Sequence, residues 1–484
     1  MSMEAGAIER EKAFSLADVP AWLWVGIGVY ALLLLNGRAL LNDSDTYWQI
    51  AVGQWILDHG ALPRTDIYSF TKAGEPWTSS SWLAQVLYAT SYRLAGWTGP
   101  VVLAAGSIAA TFALFTHIIG RRIPALYAVA VAMAALVLSM EHFLARPHVL
   151  VLPIMVIWAH GLISASERGR APSLWLLPWI MLWANLHGGF VFGLVLVGGC
   201  ALDALWNADR AQYRSVVLRW ALFGIAALAA CCVTPYGWGS ILAARKILDL
   251  GELLHLIYEW MPANFSKFGA FEMAILTLIG GALYGGVKLS PPRIALALGL
   301  LHMALAHVRN VEIFALLLPI VVLAPVASQF ALRPAWPARA IPSMPLTAAI
   351  LLLGGWTWLV AANTSFTPPE SQSPVAAVDA LKAHNPKRVL NDLPFGGYLI
   401  WRQIPVFVDG RAELYGEAFD MAYYRAMQLK DVGQFLEMLE KWNIDAVLLT
   451  PATPAVSLLD NIGGWRRVYA DGNAVLHVRA PAAP

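Results

Sequence analysis

The sequence predicts an α-helical protein that crosses a membrane many times and ends in a small α/β domain. Composition is the first reason: of 484 residues, 58% are hydrophobic and only 13% are charged, whereas soluble chains carry about 25% charged residues. The second reason is a series of apolar runs close to the roughly 20 residues that a helix needs to cross the hydrocarbon core. The third is a polar, proline-rich stretch that begins after Ala361 and separates these runs from the C-terminal end.

About eleven transmembrane helices are predicted, and the loops between them indicate an orientation. Basic residues recur in alternate loops, which the positive-inside rule assigns to the cytoplasm. The N-terminal segment 1–20 is then cytoplasmic and the C-terminal domain is periplasmic or extracellular. The predicted spans are 21–35, 101–119, 124–140, 149–164, 174–185, 190–205, 216–233, 271–287, 294–306, 311–329 and 346–362.

The domain plan follows from these spans. Residues 21–362 form the membrane domain, and residues 42–95 form its first outer loop, which includes an interfacial helix at 81–94. Residues 363–376 are a linker. Residues 377–484 form the α/β domain, with strands at 388–391, 405–408 and 445–449, helices at 396–403, 419–429 and 432–442, and a hairpin of 468–470 with 474–478 around Asp471-Gly472.

Two carboxylates stand directly after the first span, at Asp43 and Asp45. Acids at a membrane surface are costly unless they hold a cation, a proton or a hydroxyl. Either residue is predicted to act as the base that deprotonates an acceptor hydroxyl. The pair is also a candidate ligand set for a divalent cation, Mg²⁺ or Mn²⁺, because hard ions prefer carboxylate oxygen. The alternative is that both acids only cap the helix that follows.

Further polar residues fall in loops on the same predicted outer side. Arginine suits bidentate contact with phosphate, so these residues predict one substrate and phosphate site at the outer leaflet. Alternatives remain open: Arg146 as an interfacial anchor, His187 as a structural hydrogen-bonder, and Asp409 with Arg411 as a loop salt bridge. The candidate binding residues are Arg64, Arg146, His148, His187, Lys246, Glu259, Arg309, Asp409 and Arg411.

This combination of groups favours one kind of chemistry. A carboxylate base and several arginines beside a lipid-lined cavity suit displacement of a polyprenyl phosphate from the anomeric carbon of a sugar, because the phosphate leaving group needs charge stabilisation. Nucleotide sugars are lacking outside the membrane, so a lipid-linked donor is expected there. The predicted partners are a polyprenyl-phosphate sugar and a glycan, lipid or protein acceptor. The net charge of +2 gives no indication of nucleic acid.

Four stretches resemble a widespread group of bacterial membrane proteins, which implies a bacterial inner (plasma) membrane: Asp43-Ser-Asp45-Thr-Tyr-Trp, Gly60-Ala-Leu-Pro63-Arg-Thr-Asp66-Ile-Tyr-Ser-Phe-Thr71, Trp183-Ala-Asn-Leu-His187-Gly-Gly189 and Pro405-Val-Phe-Val-Asp409-Gly-Arg411. With the many spans, the acidic pair and the globular tail, the chain resembles the GT-C superfamily of membrane glycosyltransferases. The resemblance implies a sugar donor on polyprenyl phosphate and a role in cell-envelope or polysaccharide biosynthesis. Asp43 or Asp45 would match the first-loop carboxylate of that family.

Other functions remain open from the sequence. An O-antigen ligase or polymerase would use a lipid-pyrophosphate glycan and rely on arginine and histidine rather than carboxylate. A transporter of lipid-linked glycans would use the cavity without chemistry and should show inverted repeats, of which the sequence gives no sign. A non-catalytic assembly scaffold would need only the C-terminal domain, so the acidic pair would be dispensable.

Overall fold

The computed structural model describes residues 19–335 and 343–480. The predicted cytoplasmic segment 1–20 therefore lies almost wholly outside the described residues. Within them, each predicted span coincides with a helix, so the prediction of an α-helical membrane domain is confirmed. These helices are Ala21–Leu35, Thr98–Gly120, Ala125–Ser139, Pro147–Glu167, Leu177–Leu186, Phe190–Trp206, Tyr213–Cys231, Ala270–Gly285, Pro291–Ala306, Val311–Gln329 and Ser343–Asn363.

Length and hydropathy divide these helices into two groups. In the described part of the chain, five segments are long and apolar enough to cross a membrane: Thr98–Gly120, Ala125–His142, Pro147–Glu167, Arg210–Cys231 and Val308–Gln329. The remaining ones are shorter apolar helices. The chain is therefore a multi-pass membrane protein, while the number of eleven crossings remains a prediction.

The first outer loop forms a small platform of two helices at one end of the bundle. Helix Asp45–His59 begins at the second carboxylate, and helix Trp82–Ala95 takes the place of the predicted interfacial helix. Between them the chain folds back on itself through a bridge between Thr65 and Pro76. Helix Gly239–Leu248 and several 3₁₀ turns belong to the long loop that follows helix Tyr213–Cys231.

A buried ionic network joins four elements at the other end of the bundle. Arg293 donates to Asp203 at 3.1 Å and to Glu167 at 3.2 Å. Glu167 also pairs with Arg122 at 2.7 Å, and Ser290 donates to Asp203 at 2.8 Å. Each of these two carboxylates thus has its charge compensated, which is what keeps buried ionic groups tolerable.

The C-terminal domain is α/β, as predicted. Its strands β1 (Val389–Asn391), β2 (Ala446–Leu449), β3 (Trp465–Ala470) and β4 (Val475–Arg479) form one sheet in the order β1-β2-β4-β3. Strands β1 and β2 are parallel, and β3 and β4 form the hairpin expected from Asp471-Gly472. Its helices are Val375–His384, Gly396–Trp401, Ala412–Tyr415, Glu417–Met427, Val432–Lys441 and Pro454–Asn461.

The strand predicted at 405–408 is not part of this sheet, and that prediction was wrong. Val406 instead bonds to the first outer loop, donating to the carbonyl of Tyr68 and accepting from Phe70, both at 3.1 Å. The side chain of Asn391 fixes the segment on its other side, accepting from Phe407 N–H at 2.8 Å. This extended segment therefore ties the C-terminal domain to the loop that carries Asp43 and Asp45.

Candidate active site

Asp43 and Asp45 lie at the start of the first outer loop, and each uses one carboxylate oxygen locally. The backbone N–H of Asp45 donates to Asp43 Oδ1 at 2.7 Å. Asp45 Oδ1 in turn accepts a hydrogen bond from Trp48 Nε1 at 2.9 Å. The contact of Asp43 is a local turn at the helix start, as the capping alternative expects, whereas that of Asp45 joins two side chains and caps no backbone N–H. The second oxygen of each carboxylate faces Arg146, so capping is only part of what these acids do.

Arg146 joins three carboxylates from two separate loops. Its guanidinium pairs with Asp43 at 3.2 Å and also forms ion pairs with Asp45 and Glu259. Because Pro147 follows it, its backbone is extended, with φ −122° and ψ 161°, at the start of helix Pro147–Glu167. Its carbonyl oxygen accepts from the hydroxyl of Tyr88 at 3.0 Å. The residue is therefore held by both its backbone and its side chain.

A second arginine approaches Glu259 from the opposite side. Arg309 lies on the 3₁₀ turn Val308–Asn310, 3.9 Å from the carboxylate of Glu259. Its guanidinium also stacks on the ring of Trp260, with 4.5 Å to the centroid. His307 bonds through Nδ1 to the carbonyl of Trp260 at 2.7 Å, which fixes the turn that carries Glu259.

We define Asp43, Asp45, Arg146, Glu259 and Arg309 as the carboxylate–arginine cluster. Their side chains are between 14% and 29% exposed, so the cluster is sheltered but a ligand can reach it. Within this cluster, charge-assisted contacts are stronger than in water because the surroundings are less polar.

The cluster shifts the pKa values of its acids in opposite directions. Burial raises the pKa of Asp43 to about 7, and the neighbouring Asp45 adds to the rise, against the opposing effect of Arg146. Burial would also raise the pKa of Glu259, but Arg146 and Arg309 lower it to about 2. Asp43 can therefore exchange a proton near neutral pH, while Glu259 remains ionised.

The two predicted histidines, His148 and His187, lie beside the cluster, and each forms a hydrogen bond with a nearby backbone group. Burial, and then the charge of Arg309, lower the pKa of His187 to about 3. Its Nδ1 accepts from Gly189 N–H at 3.1 Å, so Nε2 carries the proton and can donate. His148 bonds through Nε2 to the carbonyl of His142 at 2.7 Å.

Arg64 and Lys246 lie elsewhere on the same side of the bundle. Arg64 donates to the carbonyl of Pro235 at 3.2 Å and stacks on Tyr236 at 4.8 Å, which joins the first outer loop to the loop after helix Tyr213–Cys231. Lys246 is exposed near the end of helix Gly239–Leu248. Among the contacts of the described residues, neither side chain reaches the carboxylate–arginine cluster.

Asp409 and Arg411 form a fully buried pair next to the cluster. Arg411 donates to Asp409 at 2.6 Å and 2.8 Å and to Asp66 of the first outer loop at 2.7 Å. Tyr415 donates its hydroxyl to Asp409 at 2.7 Å. This is the supporting salt bridge of the sequence alternative. Because the guanidinium is 0% exposed, substrate binding by these two residues remains a prediction without support from their geometry.

Gly410 places this pair against Asp45. A β-carbon at this position would overlap Asp45 Oδ1 and lie 3.3 Å from Trp48 Nε1. Only glycine allows so close an approach of backbone to a carboxylate. The C-terminal domain is thus in direct contact with the candidate base region.

The fold is similar to those of solved structures, as the TM-scores of two of them show. Archaeal oligosaccharyltransferase AglB from Archaeoglobus fulgidus superimposes with a TM-score of 0.52 at 13% identity, over 89% of this chain and 69% of that chain. ArnT from Cupriavidus metallidurans in the apo state gives 0.50 at 14% identity, over 96% of this chain and 99% of that chain. The chain has the GT-C fold. No protein-family model matches the sequence, and no curated protein matches it.

The carboxylates of Asp43 and Asp45 already have a cationic partner in this structure. Among the described residues, no group of three or more histidine, cysteine, aspartate or glutamate side chains is placed to hold one. The guanidinium of Arg146 lies where the carboxylates of Asp43, Asp45 and Glu259 converge, so it already compensates their charge. The divalent cation predicted at Asp43 and Asp45 therefore remains a prediction.

Sequence reasoning missed Glu312 as a neighbour of the site. It lies in the first turn of helix Val311–Gln329 and is 96% buried, and its Oε1 has no hydrogen-bond partner in the described part of the chain. The available signal was an acid at the start of an otherwise apolar span, three residues after Arg309. A buried ionisable residue in an apolar helix makes Glu312 a candidate site residue.

Proposed function

We propose that this chain is a membrane glycosyltransferase that moves a sugar from a polyprenyl-phosphate-linked donor to an acceptor outside the cytoplasm. The observation that carries the proposal is Arg146, which gathers Asp43, Asp45 and Glu259 at the end of the bundle where the C-terminal domain packs. Support also comes from the fold, because AglB, which shares it, was solved with a dolichol-phosphate and an inhibitory peptide. Fold likeness alone does not establish activity, so the proposal depends on the site.

The cluster supplies the groups that such a transfer needs. Asp43, whose pKa is raised to about 7 chiefly by burial, accepts the proton of the acceptor hydroxyl. The acceptor oxygen bonds to the anomeric carbon as the bond from that carbon to the phosphate oxygen breaks, and the electron pair stays on the phosphate. Arg146 and Arg309 stabilise the charge that develops there. Asp45 orients Arg146 and Trp48.

The remaining features of the proposal concern location and partners. The donor is a polyprenyl-phosphate sugar, and the acceptor is a glycan, lipid or protein of the cell envelope. We place the chain in a bacterial inner membrane, with a cytoplasmic N-terminus and the carboxylate–arginine cluster outside, because the basic loops alternate with those that carry the cluster.

Sugar transfer by the purified protein tests this proposal. A panel of radiolabelled polyprenyl-phosphate sugars is offered in detergent or nanodiscs with cell-envelope acceptors, and Asp43→Asn and Asp45→Asn are compared with the wild type. Loss of a general base lowers turnover by about a hundredfold or more, so we expect at least this loss in Asp43→Asn. Asp58→Asn is the matched control, since Asp58 lies near the far end of the helix that begins at Asp45 and pairs only with the exposed Arg93 among the described ion pairs.

Three results would contradict the proposal. Turnover that survives both Asp43→Asn and Asp45→Asn would place the base elsewhere. Lipid binding without transfer from any donor would favour a transporter or a scaffold. Transfer only from lipid-pyrophosphate glycans would favour the ligase or polymerase alternative.

A further inference from the structure

A largely apolar cavity that carries two arginines lies at the end of the bundle opposite the carboxylate–arginine cluster. It has a volume of about 300 Å³ and is lined by Arg168, Arg170 and Ser173 together with small and apolar residues. Arg146 precedes and Arg168 follows the 21-residue helix Pro147–Glu167. At 1.5 Å per residue this helix separates the two sites by about 30 Å, so the cavity is not part of the candidate active site.

The backbone builds this cavity in a defined way. Two residues after helix Pro147–Glu167, Gly169 has a φ of +60° that reverses the chain, and Arg170 N–H donates to the carbonyl of Ala165 at 3.0 Å. This is the glycine-dependent helix ending that satisfies the last free carbonyls. On the inner side, Gly161 lies so close to Leu176 that a β-carbon would overlap the leucine side chain. The two arginines are thus presented from a fixed turn.

The positive charge of the cavity is not compensated by Glu167 or Asp203, the two acids of the buried ionic network at this end of the bundle. Glu167 pairs with Arg122 at 2.7 Å and with Arg293 at 3.2 Å. Asp203 is fully buried and pairs with Arg293 at 3.1 Å. Among the ion pairs of residues 19–335 and 343–480, none involves Arg168 or Arg170. The cavity is therefore suited to an anion, and two exposed arginines in a turn match the oxygens of a phosphate.

An apolar rim beside the cavity indicates that this anion carries acyl chains. Leu174 is 67% exposed and Trp175 is 84% exposed, and both follow Ser173 directly. In water such exposure would be costly, whereas tryptophan beside basic residues is typical of the membrane interface. Basic pockets between transmembrane helices bind the head groups of anionic lipids. We propose that this cavity binds the phosphate head group of an anionic phospholipid of the leaflet opposite the carboxylate–arginine cluster.

Lipid binding to the delipidated full-length protein tests this proposal. Native mass spectrometry and thermal unfolding are measured with phosphatidylglycerol, with phosphatidylcholine of the same chains, and with inorganic phosphate. We expect phosphatidylglycerol to bind and to raise the melting temperature more than the other two. The double variant Arg168→Gln with Arg170→Gln should weaken that binding roughly thirtyfold, because each basic group near an anionic head group contributes a factor of about five to six in affinity.

The matched control is the double variant Arg210→Gln with Arg214→Gln. These two arginines are also exposed and follow the neighbouring helix Phe190–Trp206, but they do not line the cavity. Preserved binding in the control with loss in the cavity variant supports the proposal. Equal loss in both variants, or equal binding of phosphatidylcholine, would overturn it. An equal effect of inorganic phosphate would show that the site takes free phosphate and not a lipid.

Discussion

Arg146 is the residue on which this account depends. The sequence shows that Arg146 precedes Pro147, and this position is typical of an arginine that anchors a helix at the membrane interface. The structure gives it a more specific environment, since three carboxylates meet its guanidinium. Such a group is fixed in place before any ligand binds. That is the condition under which a positive charge contributes most to stabilising a leaving group.

The pH dependence of transfer should follow Asp43. Only the ionised carboxylate accepts a proton, so activity should be low below the pKa of about 7 and should rise as pH increases through that value. Initial rates from mildly acidic to mildly alkaline pH measure this. Asp58→Asn should keep the same profile, whereas the residual activity of Asp43→Asn should lose it. A wild-type rate that is constant through neutral pH would show that Asp43 is not the base.

Glu259 should compete with the lipid phosphate, because its carboxylate pairs with both arginines. Burial raises the pKa of Glu259, but the charges of Arg146 and Arg309 together lower it to about 2. Glu259 is therefore charged at neutral pH. We expect Glu259→Gln to bind polyprenyl phosphate about tenfold more tightly, since a charge-assisted contact contributes about 1.5–3 kcal/mol. Isothermal titration of purified protein measures the affinity.

The control for this experiment is Glu252→Gln. Glu252 lies on the same loop, is exposed, and contacts Glu417 through its backbone N–H rather than its side chain. Its substitution should leave the affinity unchanged. Weaker binding by Glu259→Gln would instead show that Glu259 helps to hold the substrate, as the sequence predicted.

At the scale of elements, the segment from Val406 to Arg411 links the C-terminal domain to the first outer loop. It bonds to Tyr68 and Phe70 through its backbone and to Asp66 through Arg411. Removing one partner of a buried ion pair leaves an uncompensated charge. The segment therefore holds the C-terminal domain at a fixed distance from Asp45. For this reason the domain contributes to the position of the candidate active site.

Gly410→Ala tests this link. The added methyl group would overlap the carboxylate of Asp45 and force it or the domain to move. Displacements of about 1 Å at a reacting group cost about a hundredfold in rate, so we expect a loss of turnover of this order. Gly472→Ala is the control, because a β-carbon there meets nothing within 4 Å. Unchanged transfer by Gly410→Ala, with a melting temperature equal to that of the control, would contradict the link.

At the scale of the whole molecule, the sequence predicts the helices well and the contacts between loops poorly. Apolar runs fix each helix through local hydrophobicity, and the alternation of loops places Asp43, Arg146, Glu259 and Arg309 at one end. Which side chains meet depends on how helices tilt and pack, and a linear pattern carries no information on that. The pairing of Val406 with Ser69 was missed for the same reason. An extended segment has the same apolar sequence pattern whether it pairs with a sheet or with a loop.

The site itself was predicted only in part. The structure brings Asp43, Asp45, Arg146, Glu259 and Arg309 together, and it places His148 and His187 within the electrostatic reach of Arg146. Arg64 and the buried Asp409–Arg411 pair hold loops in position instead. Sequence spacing cannot distinguish an arginine that is available to a ligand from one whose donors are all bonded within the protein. The partners of an arginine are residues that are distant in the sequence.

The most direct test of the central claim is a cryo-EM structure of the protein with a bound polyprenyl phosphate. The claim is that the carboxylate–arginine cluster binds the lipid phosphate. We expect phosphate density at hydrogen-bonding distance, about 2.7–3.2 Å, from the guanidinium groups of Arg146 and Arg309, with Glu259 moved away from both. Density for the phosphate elsewhere, with Glu259 still paired to Arg146, would contradict the account.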